Sequence, residues 1–162
     1  VLYGDDALRT KATSLKETIR RKCFLGDFFC DNAVYDDDGV ARLSGEATES
    51  CQYYAFFTGV ATPRTFPKLW ETLVNDFGPD RRTKGSYPQI AFANAFIGNY
   101  LRLELLYLYG EHEKLIENIR GFFIKMAKLT GTLWENETPT ASCNHGFASH
   151  VLYWMNGLGM IS

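Results

Sequence analysis

Apolar residues recur at three- and four-residue spacing along most of this chain, but the apolar surface does not reach equally far round every predicted helix. Leu8, Ala12, Leu15, Ile19 and Cys23 form a stripe with Arg9, Lys11, Lys16, Glu17 and Arg21 between them. Phe66, Leu69, Trp70, Leu73, Val74 and Phe77 form a cleaner one, stopped by Gly78-Pro79, and Leu115, Ile119, Phe122, Phe123 and Met126 a third, stopped by Gly131. Each predicts a one-faced amphipathic helix lying on the outside of a fold. The stretches between them, Thr48 to Val60, Ala91 to Tyr109 and Ser142 to Leu158, are apolar most of the way round and predict helices covered on several sides.

The predicted order is therefore outer, inner, outer, inner, outer, inner, with short connections. The exception is Gly26 to Gly45, where Phe28, Phe29, Val34 and Tyr35 suit a brief extended strand. Strict alternation of this kind is what concentric rings of αα-hairpins produce. A plain bundle of three hairpins or a short helical repeat array fits the pattern as well, although no sequence repeat of solenoid period is found. Asp36-Asp37-Asp38 and Arg81-Arg82 read as solvated charge runs.

Inner helices hide their flanks, so chemistry must gather at their ends. Glu46, Thr48, Glu49, Ser50, Gln52 and Tyr53 stand at the start of the first inner helix. Ser86, Tyr87, Pro88, Gln89 and Asn94 lead into the second, and Trp134, Glu135, Ser142, Asn144 and His145 into the third. If the hairpins are parallel neighbours, the three starts share one rim of carboxylates, amides, an imidazole and aromatic faces. Such a set suits a sugar, whose apolar faces stack on rings and whose hydroxyls bond to amides and carboxylates. Capping of helix starts is the competing reading, and the default one for Thr48, Ser50 and Ser142. Glu135, beside Trp134 and between helices, is the carboxylate best placed for acid–base work.

Composition narrows the classes. The chain has 162 residues, 46% hydrophobic and 22% charged, which fits one globular domain and excludes a disordered or collagen-like chain. Net charge is −2 and the pI about 5.9, without the basic stripe that nucleic acid requires. No apolar run is long enough to span a membrane. The opening Val1-Leu2-Tyr3-Gly4 has neither an initiator Met nor a signal-peptide pattern and reads as a processed or trimmed start, which leaves the compartment open. Cys23, Cys30, Cys51 and Cys143 lack zinc or dithiol spacing and read as apolar packing residues. His112, His145 and His150 have no metal-ligand spacing, and no nucleophile elbow or phosphate loop is present, so no cofactor is expected. Asn136-Glu137-Thr138 matches a glycosylation sequon and is read as chance.

Thr130-Gly131-Thr132-Leu133-Trp134-Glu135 followed by Ser142-Cys143-Asn144-His145-Gly146-Phe147-Ala148-Ser149-His150 resembles the end of the catalytic domain of bacterial α-L-rhamnosidases, glycoside hydrolase family 78. Glu49 to Gly59 and Asn94 to Tyr100 also resemble segments of that family, and the similarity runs from about Asp5 onward. The resemblance implies an all-α fold in which αα-hairpins form about half of an (α/α)6 toroid. Residues 1–162 would be the C-terminal part of that catalytic domain, completed by a missing N-terminal half that carries the general acid. It implies inverting hydrolysis of terminal α-L-rhamnosyl residues, with Glu135 as general base and His145 lining the sugar site. Trp134 is then a candidate pocket wall, and Asn144, Glu49 and Tyr53 candidate substrate contacts. The interval from Glu135 to His145 is shorter than the family's, so the sugar preference stays open. A related six-hairpin glycosidase acting on a glucuronide or another deoxysugar remains an alternative, as does a non-catalytic helical-hairpin binding module. The implied partner is a carbohydrate, with no nucleic acid and no membrane.

Overall fold

Asp5 opens the first helix, its carboxylate accepting from the amides of Ala7 at 2.8 Å and Leu8 at 3.2 Å, and α1 then runs Asp6–Cys23. The computed structural model describes residues 4–136 and 138–161; Val1 to Tyr3 and the central residue of the sequon lie outside the described residues. After α1 comes a small antiparallel hairpin, β1 (Ala33–Tyr35) and β2 (Ala41–Leu43), with Val34 opposite Arg42. The sequence suggested a single extended piece here. The chain doubles back because Asp36 organises the turn, accepting from the Val40 amide at 2.8 Å and from Arg42 Nε at 2.6 Å. The Arg42 bond holds the Asp36 carboxyl below its usual range.

The remaining helices follow the alternation closely. They are α2 (Glu49–Phe57), α3 (Pro67–Asn75), the short α4 (Arg81–Lys84), α5 (Ile97–Leu108), α6 (His112–Asn118), α7 (Lys125–Thr130) and α8 (Val151–Gly157). A π-helical turn, Ile119–Ile124, joins α6 to α7, so the third outer helix is one rod, ended by Gly131 in the left-handed region at φ 73°. A 3-10 turn, Gly146–His150, leads into α8. The protein is thus mostly helical, built of αα-hairpins as a partial all-α fold.

The inner helices stand side by side in the order α2, α5, α8, with α5 in the middle. Its position explains its all-round apolar surface. Leu101 and Leu105 join a core with Tyr53, Phe56, Leu69 and Leu73, while Leu103 and Leu106 join a second core with Leu115, Ile119, Phe123, Val151 and Trp154. The outer helices α3 and α6–α7 each bury one stripe; α1 has no fully buried residue and is tied down by Arg20, which donates to the carbonyls of Val60 and Gly59.

Two buried arginines hold this layer architecture together. Arg102 of α5 reaches the carbonyls of Leu73, Val74 and Phe77, satisfying the C-terminal end of α3, and donates to Asn118 Oδ1, whose amide in turn donates to Asn99. Arg81, read from sequence as part of a solvated run, is instead 1% exposed. It is drawn inward because Glu49 is buried at the start of α2 and a buried carboxylate needs a charged partner. The pair closes at 2.5 Å, and the same guanidinium donates to the carbonyls of Ser86, Tyr87 and Ile90 and lies over the Phe77 and Phe92 rings.

Connections are longer than the pattern suggested. Apart from the short α4, the chain spends residues 76–96 and 131–145 on irregular backbone, and the second and third inner helices start several residues later than the hydrophobic stretches do. Cys30 is buried, while Cys23, Cys51 and Cys143 are half-buried, and all four are free thiols. Among the described residues no helix is long and apolar enough to cross a membrane.

Candidate functional site

The delayed helix starts form the rim. Ala47 to Glu49 runs parallel to Ala91: the Glu49 amide donates to the Ala91 carbonyl at 3.0 Å, and the Ala91 amide to Ala47 at 3.1 Å. Four residues on, the Ala95 amide donates to the Glu135 carbonyl at 2.8 Å. The Glu135 amide donates to Ser142 and the His145 amide to Leu133, each at 2.8 Å, so the Leu133-Trp134-Glu135 segment and the Asn144-His145 segment lie next to each other. The approaches to α2, α5 and α8 therefore meet at one end of the inner row.

A cleft of about 450 Å³ opens at that end, within the range of small-ligand sites. Thr48 and Ser50 line it from α2, Phe92 and Asn94 from the approach to α5, Asn136 and Thr138 from the approach to α8, and Arg82 from α4. Among the described residues this lining includes neither Glu135 nor His145, although Asn136 follows Glu135 directly.

The residues singled out from sequence are distributed as follows. Glu135 is half-buried, with both its backbone groups engaged in the rim. His145 is half-buried and its ring lies 4.6 Å from that of Phe96, tilted by 48°. Asn144 is exposed beside it. Trp134 is 4% exposed and belongs to the second core, its indole donating to Thr130 Oγ1 at 2.8 Å, so its ring does not face the rim cleft. Glu49 is 4% exposed and occupied twice, by Arg81 and by the Ala93 amide at 2.9 Å. Tyr53 is buried within the first core; its hydroxyl has no hydrogen-bond partner, and burial first, then the Glu49 charge, pushes its pKa up. Glu49 and Tyr53 thus support the rim from below. Thr48 is a helix cap, its hydroxyl accepting from the Cys51 amide at 3.1 Å.

Two residues near the site stand out only in three dimensions. His150 donates from Nε2 to the Phe96 carbonyl at 3.1 Å, tying the start of α8 to the start of α5, and its ring is enclosed by Tyr100, Phe123, Phe147 and Trp154. Burial lowers its pKa to about 4, so the ring is neutral near neutrality, and its Nδ1 has no partner. The second is Arg82, whose guanidinium lies 3.7 Å over the Phe92 ring in the cleft wall. The signal for both was in the sequence as aromatics at compatible spacing, but spacing does not say which ring meets which. No group of three or more His, Cys, Asp or Glu is arranged to hold a metal ion among the described residues.

No family model and no curated protein sequence matches the chain. The fold is similar to a crystal structure of a GH78 family rhamnosidase of Bacillus sp. GL1, with a TM-score of 0.72 and 20% identity over 95% of this chain. The chain spans 16% of the length of that protein. At that identity the likeness establishes the shared arrangement of helices, and the helical hairpins described above are that arrangement.

Proposed function

We propose that this chain is the C-terminal part of an (α/α)6 glycoside hydrolase catalytic domain, acting by inversion on terminal α-L-rhamnosyl residues. The observation that carries the reading is the rim: two sequence segments that resemble the base-bearing and sugar-binding segments of family 78 are hydrogen-bonded side by side at the end of the inner helix row. The fold likeness to a GH78 rhamnosidase supports it at the level of architecture.

In this reading Glu135 takes a proton from the attacking water, and His145, held against Phe96, positions that water or the sugar. Asn144 bonds the sugar's hydroxyls. Trp134 keeps the Glu135 segment in register from the core, bonded to Thr130. Glu49 and Tyr53 hold the start of α2 in place. Inversion requires a second carboxyl group across the sugar, about 6.5–9.5 Å from the first, to protonate the leaving oxygen. The remainder of the catalytic domain would supply it, so the isolated chain should show no glycosidase activity.

The test is a panel of aryl glycosides given to the full-length protein, with the first-formed sugar followed by proton NMR. Release of β-L-rhamnose from an aryl α-L-rhamnoside is the expected result. Release of the α anomer first, cleavage of a different sugar in preference, or activity of the purified 162-residue chain alone would overturn the reading in its mechanism, its substrate or its half-domain aspect respectively.

A further inference from the structure

Three of the chain's four cysteines meet at one cavity. Cys23 from the end of α1, Cys30 from the segment leading to β1 and Cys51 from α2 line a hollow of about 250 Å³, walled mainly by apolar side chains such as Ile19, Tyr54 and Val60. Cys143 packs instead on the second core.

Cys23 and Cys30 are held opposite each other. The Cys30 amide donates to the Cys23 carbonyl at 2.8 Å, next to the antiparallel bridge between Phe24 and Phe29. Opposite residues in such a pair stand about 5.5 Å apart at Cα, and a disulfide spans about 4.4–6.8 Å. Gln52, fully buried in α2, fixes the segment: its side chain accepts from the Phe29 amide at 2.8 Å and donates to the Phe29 carbonyl at 2.9 Å. The thiols themselves differ. Burial pushes Cys30 up, but hydrogen bonds from the Ser44 hydroxyl and from backbone groups of Asn32, Gly45 and Ser44 outweigh it and hold the thiol below its ordinary value. For Cys51, burial and then the Asp31 charge raise the thiol to about 12, and its Sγ donates to the Cys30 carbonyl at 3.7 Å. Cys30 is the readier thiolate.

We infer that Cys30 and Cys23 form an oxidation site, at which hydrogen peroxide admitted by the cavity joins the two sulfurs in a reversible disulfide. The Cys30 thiolate attacks a peroxide oxygen; the O–O bond breaks, the departing hydroxide takes up a proton to become water, and a sulfenic acid remains. The Cys23 sulfur then attacks the sulfenic sulfur, forming the S–S bond as the S–O bond breaks and hydroxide leaves with the Cys23 proton as water. Two thiols are oxidised and one peroxide is reduced to two waters. The bond fastens the last turn of α1, which Arg20 ties to the Gly59 and Val60 carbonyls, to the segment leading to β1. The chemistry needs no saccharide and is independent of the catalytic reading.

The experiment exposes the reduced full-length protein to excess hydrogen peroxide, blocks the remaining thiols with iodoacetamide in denaturant, and maps the peptides by mass spectrometry. Cleavage before Asp27 separates the two cysteines. Peptides joined through Cys23 and Cys30 are expected, released by dithiothreitol, with Cys51 and Cys143 alkylated. Cys30→Ser should abolish the link and leave Cys23 alkylated. Cys23→Ser should leave Cys30 as a sulfenic acid that dimedone captures, and Cys51→Ser should leave the link unchanged. The parent protein decides the matter even where a variant fails to fold. A link from Cys30 to Cys51, oxidation of Cys143 ahead of Cys30, or Cys23 and Cys30 both still alkylated after excess peroxide would overturn the inference.

Discussion

The two seams of the inner helix row are closed by different chemistry. Between α2 and α5 the contact is tight and polar at its upper end. Glu49 bridges Arg81 and the Ala93 amide, and a Cβ placed on Gly98 would lie 3.2 Å from Ser50 Oγ of α2 and 2.4 Å from the Cβ of Ala93 in the approach to α5. Between α5 and α8 the contact is mainly aromatic, with Tyr100, Phe147, His150 and Trp154 packed ring against ring, and His150 donates to the Phe96 carbonyl and Trp154 Nε1 to the Glu104 carboxylate of α5. The first seam is fixed by a buried ion pair that loses most when half of it is removed. The second is held mainly by ring packing, and Phe147, Leu152 and Tyr153 remain about half or more exposed there. A site built across both has one wall set by a buried ion pair and one set largely by ring packing.

Breaking the polar seam should have the largest effect. Arg81→Met leaves Glu49 buried without its counter-charge and should cost about 3–5 kcal/mol in denaturant unfolding. Adding Glu49→Gln should return part of that loss. A cost below about 1 kcal/mol would mean that water reaches Glu49 and that the seam is not sealed as described.

Gly98→Ala sharpens the same comparison. Helix propensity alone favours the change by about 1 kcal/mol, whereas the overlap with Ala93 should cost about 1–3 kcal/mol. Net destabilisation in a thermal melt is expected, and a net gain would show that the approach segment carrying Ala93 does not press on the start of α5 as described.

The aromatic seam should show itself through pH. His150 titrates near its ordinary 6.5 when unfolded and at about 4 when folded, because burial penalises the charged ring. The unfolded chain therefore binds the proton first, and stability is lost as pH falls from about 6.5 towards about 4 and is flat above that window. Urea unfolding at about pH 7.5 and about pH 4.5 should reveal a drop that His150→Phe diminishes. An identical drop in the variant would assign the acid sensitivity to other groups.

How much of this was legible beforehand depends on the kind of information each feature needs. The alternation of helices depends on local period: α2, α3, α5 and α8 fall within the stretches that the period marks, and α1 and the α6–α7 rod cover theirs and start two or three residues earlier. The rim was inferred from the polar helix starts, and their pairing through Ala91, Ala95 and Glu135 gives it physical form. What escaped was long-range. Nothing local distinguishes Arg81 from Arg82, yet one is buried against Glu49 and its neighbour lies exposed on the cleft. The π turn is equally hidden in sequence; there Gly121 sits where a Cβ would fall 2.5 Å from the Pro79 ring. Glu49 and Tyr53 looked like rim residues because they are close in sequence to Thr48, but helical rotation turns both inward, and Trp134 turns inward for the same reason that it is large and apolar.

The most direct test of the account concerns Glu135, which joins the approaches to α5 and α8 through its backbone and is assigned the water-activating role through its side chain. In the full-length protein, Glu135→Gln should lower kcat on an aryl α-L-rhamnoside by about 10² to 10⁴ while leaving the fold and its melting temperature in place. Turnover unchanged in a folded Glu135→Gln variant would contradict it.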